Sequence, residues 1–168
     1  MQNYFQGNKD HPRHISVGGV VLNEKGEVMV HHFVREDLPG YWPDLGINDF
    51  YILMRETLNP KETLEEALHR GLLEEFGVRA ELSDYIGSIK SNFISNTEGE
   101  KEIEKTTLYF LCKFIDQDLS KRSQDDIEGK TEVEWHSVEF LIPKMIEQAT
   151  KYNRPDIDES VILEKIKQ

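Results

Sequence analysis

The stretch from Glu62 to Val78, ETLEEALHRGLLEEFGV, constrains this chain more than any other. Thr63 and Glu66 stand at capping-box spacing, where each side chain satisfies the other residue's orphan backbone N–H, so a helix begins there. Leu64, Leu68, Leu72 and Phe76 recur every fourth residue, with Ala67 and Leu73 beside them, an apolar stripe at helical period. Gly77 supplies the left-handed residue at which helices commonly end. Opposite the stripe, the same spacing collects Glu66, Arg70, Glu74 and Glu75 on one face. Neighbouring carboxylates repel unless something neutralises them. A divalent cation does so, and Mg2+ favours a few carboxylates together with water and phosphate oxygens. Glu62, just ahead of the helix, is placed to pair with Arg70. A solvated, salt-bridged surface helix satisfies the same pattern, so spacing alone leaves both readings open. Gly71 is the odd residue, because a mid-helix glycine costs about 1 kcal/mol relative to alanine. It points to close approach by something else, whether substrate, water or another strand.

The flanking sequence supplies strands. HISVGGVVL (14–22) is rich in β-branched residues, NEKGE turns the chain, and VMVHHFV returns as the partner of a hairpin. REDLPGYWPDLGIND (35–49) is punctuated by Pro, Gly and Asp and reads as a loop. FYILMRETL (50–58) is one short strand leading through NPKE to the helix. An acidic turn follows at 95–104, then a strongly apolar strand KTTLYFLCKFI (105–115), a polar loop (116–130) and a last strand TEVEWHSV. Helices are expected in EFLIPKMIEQATKY and DESVILEKIKQ. Strands dominating the first two-thirds, with one central helix and helices at the end, predict a mixed sheet covered by helices.

At 168 residues the chain has the length of one domain. The segment YFQG near the start is similar to the remnant left by a tag-removing protease, so residues 1–8 are set aside and 9–168 are taken as a single domain. No apolar run approaches the roughly 20 residues of a membrane span, and no apolar signal-peptide core is present. The single cysteine, Cys112, excludes an internal disulfide and fits a reducing cytoplasm. With 20 basic against 32 acidic residues the formal charge is −12. That argues against duplex nucleic acid and anionic membranes as partners. It leaves room for a small anionic ligand held through a divalent cation.

The central stretch resembles the signature of the Nudix hydrolases, G-x5-E-x7-R-E-U-x-E-E-x-G-U with U aliphatic. Glu62 stands at the first acid, Arg70 at the arginine, and Leu72, Glu74, Glu75, Gly77 and Val78 follow in order. GGVVLNEKGEVMV is similar to the family's first hairpin and EVEWHSVEFL to its closing segment, so the likeness spans most of residues 14–166. It implies an α/β fold, a Nudix-type α/β/α sandwich with a mixed sheet and a central box helix. It also implies hydrolysis of a diphosphate linkage in a nucleoside diphosphate derivative. Mg2+ or Mn2+ would be held by Glu74 and Glu75, with Arg70 and Glu62 bracing the loop and helix, and a homodimer is in keeping with the family.

Two positions depart from the signature: Glu56 replaces its opening glycine and Gly71 its first box glutamate. In many relatives that acid binds metal or activates water, so three explanations stand open. A loop acid takes over as base, with Glu128 first and Glu98, Glu100, Glu102 or Glu104 behind it. Alternatively, the domain binds nucleotides without turnover, or metal affinity is lost and the helix is only scaffold. An isoprenoid diphosphate isomerase is a more distant reading, since the cysteine such an enzyme needs earlier in the chain is missing.

Other residues carry weaker signals. His31 and His32 are adjacent on a strand, so they point to opposite faces and cannot share one metal. Cys112 sits on the most apolar strand as a small hydrophobe. Trp42, Tyr41 and Phe50 are candidates for stacking on a planar group, and Arg35 and Arg55 for contacting phosphate oxygens, although core packing and surface salt bridges use the same residues.

Overall fold

The computed structural model of the chain describes residues 13–34, 46–95 and 101–167. Strand β1 (Arg13–Leu22) is buried from Ser16 to Val21 without alternation. That is the pattern of a strand covered on both faces. It runs parallel to β6 (Lys101–Gln117), antiparallel to β4 (Met54–Thr57), and turns at Leu22↔Val28 into β2 (Val28–Phe33). β2 in turn pairs with β3 (Phe50–Ile52) and β7 (Glu132–His136), and β6 with the long β5 (Val78–Ser95). Among the described residues the result is a mixed sheet of seven strands. The single strand expected over 50–58 is two, because Phe50–Ile52 pairs with β2 while Met54–Thr57 crosses to β1. The acidic turn is shorter than expected, since β6 already begins at Lys101.

Helices cover both faces. On one lies α1 (Leu64–Gly71), capped by the reciprocal Thr63–Glu66 pair. Its Ala67 and Leu68, with Leu72 and Phe76 beyond, pack against Val17, Val21, Met29 and Met54. Each fully buried Leu or Phe contributes about 2 kcal/mol, which fixes a helix too short to persist alone. The first residue of the stripe, Leu64, and its neighbour Leu73 are instead exposed. On the other face α2 (Val138–Tyr152) and α3 (Ser160–Leu163) pack Val138, Leu141, Met145, Ile162 and Leu163 onto Val20, Val30, Leu53 and Tyr109. Phe50 belongs to a third cluster, stacked on Phe33 at 4.6 Å, so it is a core residue and not a stacking platform.

Beyond Gly71 the helix widens into a π-helical turn, Leu72–Phe76, closed by Gly77 at φ 67°. A Cβ on Gly77 would stand 2.4 Å from the Asp118 carbonyl oxygen, and the Gly77 carbonyl accepts from Asp118 N at 2.8 Å. Left-handed backbone and steric contact therefore act together. Gly77→Ala is expected to cost about 2 kcal/mol or more, lowering the melting midpoint by about 6 °C. Thermal unfolding followed by circular dichroism measures this, and an unchanged midpoint would contradict the strained closure.

Candidate active site

The π-helical turn changes where its acids point. An extra residue in the turn breaks the four-residue phase, and Glu75, expected on the solvated face, is instead only 7% exposed. Its Oε2 lies 2.7 Å from Nε2 of His31, whose Nδ1 lies 2.7 Å from the Thr131 hydroxyl. Glu74 stays on the outer side, its side chain 44% exposed and 3.5 Å from Arg70.

Arg70 is the hub of the helix. Its Nε and Nη2 donate to both oxygens of Glu62 at 2.8 Å, and Nη2 also donates to the Thr57 carbonyl at 3.0 Å. This forked grip holds the Glu62 carboxyl down to about 2. The remaining nitrogen, Nη1, meets Glu56 at 2.9 Å. The chain ahead of α1 is thereby tied to the helix and to β4.

These groups border one cavity of about 410 Å³. Glu56, Arg70, Glu74 and Glu75 form one side, and Glu128, Asp126, Lys105 and Arg55 also line it. Its electrostatics are crowded. Burial raises the Glu75 carboxyl well above the ordinary range, and the charges of Glu128 and Glu56 push it further. Burial also raises Glu56 against the pull of Arg70. His31 is shifted down by burial and by Arg122 and Arg55, so both members of the Glu75–His31 contact favour their uncharged forms. Lys105 is the counterweight: burial, then Arg55, brings its ammonium down to about 8. Among the described residues no hydrogen bond or ion pair holds its Nζ.

Arg122 holds two of the lining residues, Glu75 and Glu128, by their backbone. Its Nε donates to the Glu75 carbonyl at 2.6 Å, Nη1 to the Thr131 carbonyl at 3.0 Å and Nη2 to the Glu128 carbonyl at 2.7 Å. One guanidinium thus ties the box turn to the loop that carries Glu128. The fully buried Glu159 accepts from Leu53 N and Tyr109 Oη and lies 3.6 Å from Arg55. Arg55, a candidate phosphate contact, therefore reaches the cavity while anchored to Glu159 and the Asp156 carbonyl.

Of the residues singled out from sequence, Arg55, Arg70, Glu74, Glu75 and Glu128 meet at the cavity, and Glu62 and Gly77 brace it. Glu102 accepts from Asn92 and Glu104 pairs with Lys90; neither borders it. Arg35, Tyr41, Trp42, Glu98 and Glu100 lie outside the described residues. Cys112 is buried, its thiol pushed up to about 12. His31, Lys105, Arg122 and Thr131 were not singled out for the site. Only the strand position of His31 hinted at it.

The hard oxygen donors of Glu56, Glu74, Glu75 and Glu128 suit Mg2+ or Mn2+. In this conformation Arg70 and His31 occupy three of them, and among the described residues no three acidic, His or Cys groups are gathered within reach of one ion. The chemistry of these donors, all of them in the cavity lining, fits a divalent cation.

A mixed sheet between helices, with a capped acid-bearing helix over a polar cleft, defines an α/β sandwich built to present carboxylates. The family model described as NUDIX domain matches residues 12–156, and the chain belongs to the Nudix family. A Nudix hydrolase from Nitrosomonas europaea is similar in structure, with TM-score 0.55 at 13% identity over 87% of this chain and 91% of that one. The ORF135 protein of E. coli gives 0.55 at 13% identity, over 93% and 89%. The MutT protein from Methanosarcina mazei Go1 gives 0.50 at 23% identity, over 88% and 97%. Comparison with curated proteins finds no match. Among the described residues no helix is long and apolar enough to cross a membrane.

Proposed function

We propose that the protein is a Nudix-type hydrolase that cleaves the diphosphate linkage of a nucleoside diphosphate derivative with the help of Mg2+ or Mn2+. The observation that carries this reading is one cleft with carboxylates on one side and, in its lining, the Lys105 ammonium, which no hydrogen bond or ion pair among the described residues holds. Glu74 and Glu75 would hold the cation, which when bound polarises a phosphate oxygen and acidifies water. Lys105 and Arg55 meet the negative oxygens of the diphosphate, Lys105 regaining the counter-charge that burial denies it. Arg70 and Glu62 keep the box helix and its preceding loop in place. Glu128, on a loop pinned by Arg122, accepts the proton of the attacking water.

Hydrolysis assays over a panel of nucleoside diphosphate derivatives with Mg2+ or Mn2+ test this, with nucleoside monophosphate as the expected product. Nucleotides that raise the melting temperature yet are never turned over would favour the rival reading, a nucleotide-binding domain without catalysis. A pH dependence follows from Glu75. Its carboxyl keeps a proton to unusually high pH, and a cation must displace that proton, so affinity rises with pH by up to about tenfold per unit below the raised value. Calorimetric Mn2+ titrations at pH 6 and 8, in buffers of differing ionisation enthalpy, should show tighter binding at pH 8 with proton release. Equal affinities would remove Glu75 from the cation site.

A further inference from the structure

Gly71 and Glu56 share one volume. A Cβ on Gly71 would stand 2.7 Å from Glu56 Cβ, 2.8 Å from Met54 Sδ and 3.2 Å from Glu56 Cγ. Such separations are tighter than packed carbon atoms accept. The helix therefore carries no side chain at 71 because the strand's side chain already fills that place. The register Val17↔Glu56 and Gly19↔Met54 sets Met54 and Glu56 on the sheet face that α1 covers. From there Glu56 extends past Gly71 into the cleft beside Glu74 and Glu75, its side chain 20% exposed.

The geometry points to Glu56 as a cation ligand: β4 delivers to the cleft the carboxylate that the helix lacks at position 71, completing a set with Glu74 and Glu75. Gly71 is the matching half of this exchange, and its helix-weakening effect is the cost of letting the strand through. The inference rests on the cation-dependent reading above. Besides the acids, the half-buried Lys105 ammonium in the same cavity, held by no hydrogen bond or ion pair among the described residues, suits an anionic ligand there. Arg70 does not depend on Glu56. When that carboxylate turns away, Arg70 keeps its fork on Glu62 and its bond to the Thr57 carbonyl.

The test uses the full chain, Mn2+ binding followed by electron paramagnetic resonance and calorimetry, and thermal melting. E56Q keeps side-chain volume and is expected to weaken Mn2+ binding at least tenfold while melting near the wild type. G71E should melt lower, because its Cβ meets Glu56. E56G/G71E moves the acid back to the helix; with Met54, a flexible thioether, giving way, it should recover melting and bring Mn2+ affinity to within a few-fold of wild type. E56Q binding Mn2+ as tightly as wild type, while E75Q does not, overturns the role of Glu56 and leaves the cation-dependent reading intact. A wild-type protein that binds no Mn2+ at millimolar concentration overturns both. Loss of Mn2+ in E56Q, together with a wild type that hydrolyses no diphosphate, upholds the ligand and removes the hydrolase. If G71E fails to fold, E56Q alone decides.

Discussion

Glu75→Gln is expected to lower kcat/KM for diphosphate hydrolysis about a thousandfold while leaving the protein folded and, above neutral pH, more stable. The activity loss corresponds to about 4 kcal/mol, the scale of stabilisation that a cation gives to developing phosphate charge. The stability gain has a separate origin. Glu75 is buried among Glu128 and Glu56, and its carboxyl is raised far above its unfolded value. A carboxyl raised on folding contributes its full stability below the unfolded value and loses it as pH climbs through the folded value. Glutamine carries no charge to lose, so the advantage of the variant should grow as pH climbs from the ordinary carboxylate range to the raised value, read as a widening difference in melting temperature. His31 moves the other way, its contribution falling away as pH drops through and below its ordinary range. As pH falls below the ordinary His range the variant should therefore weaken, while in the wild type the proton that folded Glu75 keeps offsets the His31 loss down to the ordinary carboxylate value. Melting curves across pH, paired with steady-state kinetics, separate the two effects. A variant that is less stable at pH 9 than the wild type contradicts the burial argument, and one with full activity contradicts the role in catalysis.

Arg122→Ala should cost about 3 kcal/mol, roughly 9 °C in melting midpoint, and lower activity by about ten- to a hundredfold. Its guanidinium donates to three backbone carbonyls, those of Glu75, Glu128 and Thr131, and to the Thr131 hydroxyl at 3.2 Å. Alanine leaves three carbonyl acceptors around a half-buried position without their donor, and each costs about 1–3 kcal/mol before relaxation. Arg122→Lys should recover less than half of the loss, since one ammonium cannot span the fork. Because Arg122 touches only backbone near the acids, its removal acts by loosening Glu75 and Glu128. The fall should appear chiefly in kcat, with Mn2+ affinity reduced less than in Glu75→Gln. Denaturant melts and Mn2+ titrations of both variants check this. A kcat equal to wild type in a destabilised Arg122→Ala would confine the residue to scaffolding.

What could be read from sequence was local. Thr63 with Glu66, Glu62 with Arg70 and the stop at Gly77 are each set by spacing within one segment, and each pairing or turn is present. Burial of Glu75 was not legible, because a π-helical turn has no composition of its own and the regular period placed that residue outside. His31 joins the site from β2, and Thr131 and Arg122 from the loop between β6 and β7, contacts that only the assembled sheet creates. The two departures from the family signature, Glu56 and Gly71, read as separate losses in the sequence. They form one contact because β4 runs directly beneath α1.

The widened turn has a consequence for how this segment tolerates change in length. Its acids are aimed by residue count as much as by residue type. Excising one position between Leu72 and Phe76 would let the ladder relax to the ordinary pitch and swing the second acid of the pair out to water, with every signature residue but one still in place. Insertions and deletions here are therefore more damaging to the chemistry than most substitutions, and a homologue shortened by a single residue at this point would present a different cleft behind a nearly unaltered motif.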